Sequence, residues 1–77
     1  MKSTQDGKII ENWVKERKGV PTIVKNTEDL LRIRFDSLEE ELIPITWYKF
    51  FKIFEANNLK FLYDDNQDSR FCKFVEE

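Results

Sequence analysis

A single thiol, Cys72, and no histidine bound the chemistry open to this 77-residue chain. Histidine is the side chain most used as a general base and transition-metal ligand, so no Ser-His-Asp or Cys-His site can be assembled. Cys72 stands between Phe71 and Lys73 in a stretch that reads as a strand, where a thiol is a small core hydrophobe rather than a nucleophile. Asp64-x-Asn66-x-Asp68 imitates the opening of an EF-hand loop, in which alternate side-chain oxygens meet calcium. The imitation stops there: Ser69 stands where the sharp turn needs glycine, and Val75 where the bidentate glutamate belongs. A hairpin turn rich in Asn and Asp accounts for the segment, and neither a metal nor a cofactor is expected. Gly7 and Gly19 are the only glycines, which excludes a glycine-rich phosphate loop. No catalytic constellation is visible, and the expectation is a protein that is not an enzyme.

What remains is recognition chemistry. Glu39-Glu40-Glu41 is a run of like charge, read either as solvated surface or as an acidic contact for a basic partner. Arg32 and Arg34 share one side of an alternating strand and could be joined across a sheet by Lys60 and by Arg70 or Lys73, with Leu62 or Phe71 among them. Basic and aromatic groups on an open sheet bind single-stranded nucleic acid. An ordinary one-sided sheet also turns Arg and Lys outward, for solubility and edge protection. In the aromatic segment Thr46-Trp47-Tyr48-Lys49-Phe50-Phe51, Tyr48 alone falls off the centre of the apolar stripe. The candidate interaction surface is therefore Arg32, Arg34, Lys60, Leu62, Phe71, Lys73 and Tyr48.

Two helices and four strands must position these groups. Ser3 and Asp6 have the spacing of a capping box ahead of Ile9, Ile10, Trp13 and Val14, which share one helical face, and Gly19 follows a basic end. The first helix is thus placed at 4–18. Residues 20–25 read as a strand that Pro21 confines to a sheet edge or to the strand's first residues. Leu31, Ile33 and Phe35 alternate with the two arginines in the clearest strand of the chain. Residues 36–45 read as a loop or short extended segment. Thr46 is the expected N-cap of a second helix, with Ile45 and Phe50 in staple positions and Trp47, Phe50, Phe51 and Phe54 on one face; Asn57-Asn58 ends it. Residues 59–63 and 70–75 read as a closing hairpin with apolar groups on both sides.

The expected fold is α+β in the order α-β-β-α-β-β: a four-stranded, mostly antiparallel sheet with both helices packed on one face. It is read as a single small domain over 1–77, with an αββ pseudo-repeat at 4–36 and 46–77. Hydrophobic content of 40% is too high for a disordered chain, and a formal charge of −2 opposes bulk polyanion binding. Residues 1–8 hold no apolar run of signal-peptide type, no stretch approaches a membrane span, and one cysteine requires no oxidising compartment. A cytoplasmic location without membrane association is expected.

Taken together, several motifs resemble a family of small, uncharacterised bacterial proteins. They are I-x-x-W-x-x-x-R-x-G-x-P from Ile10 to Pro21, T-x-x-L-L-R-I-x-F from Thr27 to Phe35, I-x-W-x-x-F-F-x-x-F from Ile45 to Phe54, L-x-F-L-Y-x-D, and S-R-F-x-K-F-V. Members are sometimes labelled 1,4-alpha-glucan branching enzyme, a label these residues oppose, since 77 residues cannot build a TIM barrel with paired carboxylates. The resemblance implies a bacterial origin and no activity. The resulting expectation is a protein-interaction module, whose partner is another protein or a second copy as a homodimer. Single-stranded nucleic-acid binding through the basic-aromatic sheet face is the alternative.

Overall fold

The computed structural model describes residues 1–36 and 41–77. Their elements run β1 (Lys2–Thr4), α1 (Gly7–Glu16), β2 (Val20–Val24), β3 (Leu31–Arg34), β4 (Leu42–Pro44), α2 (Trp47–Ala56), β5 (Leu59–Tyr63) and β6 (Cys72–Glu76). The α+β class holds, but the single four-stranded sheet does not. The described strands form two three-stranded sheets, β1-β5-β6 and β3-β2-β4, with every pair antiparallel. Two short strands make the difference. Residues 2–4 pair with β5 instead of leading into the first helix, and residues 42–44 pair with β2 instead of crossing as a loop. The order is accordingly β-α-β-β-β-α-β-β. Of the acidic run, Glu39 and Glu40 lie outside the described residues, and Glu41 is exposed beside β4.

The ends of α1 differ from the sequence expectation for local reasons. Asp6 is its N-cap: Asp6 Oδ1 accepts from Lys8 N at 2.9 Å, while Thr4 Oγ1 accepts from Asp6 N at 3.0 Å. Ser3 is drawn into β1, so the Ser3–Asp6 capping box does not form. At the other end Lys18, not Gly19, takes the left-handed conformation, with φ 59°. Gly19 serves close approach. A Cβ there would lie 2.9 Å from side-chain atoms of Val14, Ile33 and Phe35, where the helix end meets β3.

Pro21 stands in the central strand of its sheet, not at an edge, and takes the other expected place, among the first residues of β2. Ile45 N donates to Pro21 O at 3.0 Å, so the polar side of residue 21 faces β4, and the missing N–H falls at the end of that short ladder.

Helix α2 follows its pattern closely. Thr46 Oγ1 accepts from Lys49 N at 3.1 Å, Phe50 and Phe54 are buried, and Asn58 takes the left-handed conformation after the helix with φ 54°. Trp47, Phe50 and Phe51 pack ring on ring at 5.0–5.5 Å, and Phe50 stacks on Phe54 at 6.0 Å. One buried cluster joins Ile10, Trp13 and Val14 of α1 to Phe50 and Phe54 of α2, Leu31 and Ile33 of β3, and Phe61 and Tyr63 of β5. Within it Trp13 meets Phe35, Phe61 and Tyr63 edge-on at 5.5–6.1 Å.

The order β-α-β-β occurs twice, as β1-α1-β2-β3 and β4-α2-β5-β6. Each half lends its first strand to the other half's second strand: β1 pairs with β5, and β4 with β2. Both sheets thus contain strands from both halves, which ties the ends of a short chain together through hydrogen-bonded ladders.

Candidate interaction surface

Alternation along a strand sends successive side chains to opposite faces, so the register of β1-β5-β6 fixes what each face carries. Phe61 and Tyr63 face the core with their neighbours Phe74 and Cys72. The opposite face carries Lys60 beside Val75 and Leu62 beside Lys73, with Ser3 flanking Leu62 on β1. Lys73 is exposed; Lys60, Leu62 and Val75 are partly exposed. Phe71 precedes β6 and is 52% exposed, an unusual setting for a phenylalanine in so small a core.

The loop before Phe71 is held by α1. Arg17 is buried, with its guanidinium carbon 4.2 Å from the Trp13 ring centroid. Its Nε donates to Ser69 O at 2.6 Å, Nη2 to Asn66 O at 2.8 Å and Nη1 to Trp13 O at 3.0 Å. Trp13 Nε1 donates to Asp64 O at 2.8 Å. Three loop carbonyls, those of Asp64, Asn66 and Ser69, therefore accept from Trp13 and Arg17 at the end of one helix. The side-chain oxygens of the EF-hand-like segment are used within the turn, Asp64 Oδ1 accepting from Asn66 N and Asn66 Oδ1 from Asp68 N. Among the described residues no group of three or more His, Cys, Asp or Glu side chains could hold a metal ion.

The seven sequence candidates fall into three places. Lys60, Leu62 and Lys73 share the face of β1-β5-β6 turned away from the core, with Phe71 at its end. Arg32 and Arg34 lie on β3 in the other sheet, also turned away from the core, and Arg32 Nη1 donates to Leu31 O at 2.8 Å. Tyr48 is 72% exposed on α2, with Lys52 Nζ 5.1 Å from its ring centroid, in neither sheet. Arg70 lies over Phe35 at 5.7 Å, which leaves Lys73 as the cation beside Leu62. A basic-aromatic platform uniting Arg32, Arg34, Lys60 and Lys73 in one hydrogen-bonded sheet is not what the register builds.

Comparison with protein-family models, with known proteins and with solved structures found no match.

Cys72 lies against the core beside Tyr63. Burial pushes its thiol up from 9.0 to about 11, against a smaller opposing pull from Arg17, so it stays protonated and unreactive near neutral pH. On the rim, Lys2 Nζ lies 3.1 Å from Asp65 Oδ2; their hydrogen bond raises the lysine and lowers the aspartate. A shallow hollow of about 430 Å³ lies between α1 and the loop, with Ile9, Asn12, Tyr63 and Gln67 in its lining. Arg17 is the residue that sequence reasoning passed over as a functional position. Its only sequence signal is the i, i+4 spacing from Trp13, which puts a cation beside an indole on one helical face. No helix among the described residues is long and apolar enough to cross a membrane.

Proposed function

We propose that this chain is a non-enzymatic protein-interaction module whose contact surface is the face of β1-β5-β6 turned away from the core. One observation carries this reading. The β5–β6 hairpin has apolar residues on both sides; one side fills the core, and the other carries Leu62 and Val75, both partly exposed, with Phe71, 52% exposed, at its end, and none of the three belongs to the core cluster of the described residues. Small proteins rarely leave such a group of side chains open without using it. Lysines beside the apolar residues keep the free face hydrated and leave cations for specificity.

Site-directed photo-crosslinking in the native cell tests the assignment. A benzophenone side chain at position 71 should give discrete heavier adducts, and Leu62→Asp in the same chain should abolish them. The same group at position 48, on α2, should give none of those adducts. No adduct at position 71, or adducts indifferent to Leu62→Asp, would refute the assignment.

A further inference from the structure

We infer that β1 is a strap over the edge of β5 that opens by itself while the rest of the fold stays closed. β1 adds nothing to the core: Lys2 and Ser3 are exposed, Thr4 is partly exposed, and none of the three belongs to the core cluster of the described residues. What it covers is different, because β5 is the central strand of its sheet and carries the buried Phe61 and Tyr63.

One bond fixes which way the main chain of β5 points. Asp64 N donates to Phe71 O at 3.2 Å, so residue 64 turns its polar groups toward the β6 side. Alternation then turns Lys60 and Leu62 to β6, and Phe61 and Tyr63 to β1, where Thr4 and Lys2 stand opposite them. Two buried residues of β5 therefore depend on β1 for their main-chain hydrogen bonds.

β4 holds the same place on β2 and shows how a fixed strand is fastened. Lys25 N donates to Glu41 O at 2.7 Å and Ile45 N to Pro21 O at 3.0 Å, so the ladder runs past both ends of Leu42–Pro44, and Ile45 packs against the core cluster. β1 is fastened by side chains instead. Lys2 Nζ lies 3.1 Å from Asp65 Oδ2, with both side chains exposed, and Gln5 Nε2 donates to Leu59 O at 3.1 Å and to Glu77 Oε2 at 3.0 Å. The bond to Leu59 O stands where the next main-chain rung of the ladder would fall. Exposed ion pairs and exposed hydrogen bonds hold only weakly. Release of β1 leaves the N–H and C=O groups of Phe61 and Tyr63 as an unpaired edge in an apolar, β-prone segment, and the short, lysine-bearing strap is what closes that edge.

Native-state amide exchange of the full chain, read residue by residue by NMR, tests the strap. After correction for intrinsic rates, the Phe61 and Tyr63 amides should exchange at least about 30-fold faster than the Lys60 and Leu62 amides of the same strand. Small additions of urea should leave the first pair nearly unchanged and speed the second steeply, because releasing three residues exposes little surface and unfolding exposes much. K2A/Q5A, which removes both side-chain fastenings, should speed Phe61 and Tyr63 by about threefold or more without urea. Gly19→Ala, which loosens the fold away from β1, should speed Lys60 and Leu62 and leave Phe61 and Tyr63 as they are. Exchange of all four amides at one protection, with one urea dependence, overturns the inference, since β1 then leaves only when the fold does. Unchanged Phe61 and Tyr63 rates in K2A/Q5A, or Phe61 and Tyr63 rates that follow Gly19→Ala, overturn it as well.

Discussion

Arg17→Met removes the clamp on the β5–β6 loop while keeping an unbranched apolar stem against Trp13. Two lost hydrogen bonds run from a charged donor to Ser69 O and Asn66 O, at 2.6 and 2.8 Å. Hydrogen bonds to charged groups contribute about 1.5–3 kcal/mol each, and the freed carbonyls can turn to water, so the low end applies. The third bond, to Trp13 O at the end of α1, is the most buried of the three, so its loss adds to the cost. The expected loss is therefore about 3 kcal/mol or more, a large part of the stability of a domain this size. At roughly 4–8 °C per kcal/mol, the midpoint of thermal unfolding should fall by about 12–24 °C. Urea unfolding read by tryptophan fluorescence gives the free energy, and amide exchange shows whether residues 64–71 lose protection ahead of the core. Arg17→Lys keeps the charge but not the planar fork, and should recover less than half of the loss. An Arg17→Met protein within about 1 kcal/mol of wild type, with the loop still protected, would refute the clamp.

Three further outcomes follow from local geometry. Lys18→Gly should stabilise by about 0.5–1 kcal/mol because φ is 59° there, whereas Gly19→Ala should destabilise by about 1–3 kcal/mol through contacts at 2.9 Å; equal effects in urea unfolding would contradict both. Cys72 titrates from 9.0 to about 11 on folding, so the unfolded chain loses the proton first. Its contribution is intact below about pH 9 and shrinks as pH rises towards 11, by about 1–2 kcal/mol after allowance for the sulfur's partial exposure; Cys72→Ala should lack that slope in urea midpoints between pH 8 and 11. Leu62→Thr should cost under about 1 kcal/mol and leave the fold intact, and a loss above about 2 kcal/mol would make Leu62 a core residue.

Legibility in the sequence followed the range of the interactions. Thr46 and the stripe from Trp47 to Phe54 were readable because cap, staple and apolar face lie within one turn of each other. Leu31, Ile33 and the arginines between them were readable because alternation is a nearest-neighbour property. β1 was not, since three residues of polar sequence become a strand only by pairing with Phe61 to Tyr63 at the far end of the chain. Arg17 was hidden for a related reason. Its partners are backbone carbonyls of residues 66 and 69, and carbonyls have no sequence signature. Gly19 was identified as a special position, but the sequence could not tell a left-handed cap from a close approach.

The strand exchange between halves supplies an internal control for the proposed surface. By strand register, the row Ile43, Ile23, Leu31 in one sheet occupies the same place in the β-α-β-β unit as the row Ser3, Leu62, Lys73 in the other. Leu31 is buried and Ile23 packs against the core cluster, whereas Leu62 is partly exposed and stands outside that cluster. The row Arg32, Thr22, Pro44 corresponds to Phe74, Phe61, Thr4, and its central Thr22 is as fully buried as Phe61, with its hydroxyl donated to Arg32 O at 2.9 Å. An apolar side chain at the equivalent central position is thus drawn against the core in one half and left partly open in the other. Because the hydrophobic gain scales with the area removed from water, Leu62, flanked by Lys60 and Lys73, gains its full burial only when a partner covers the face.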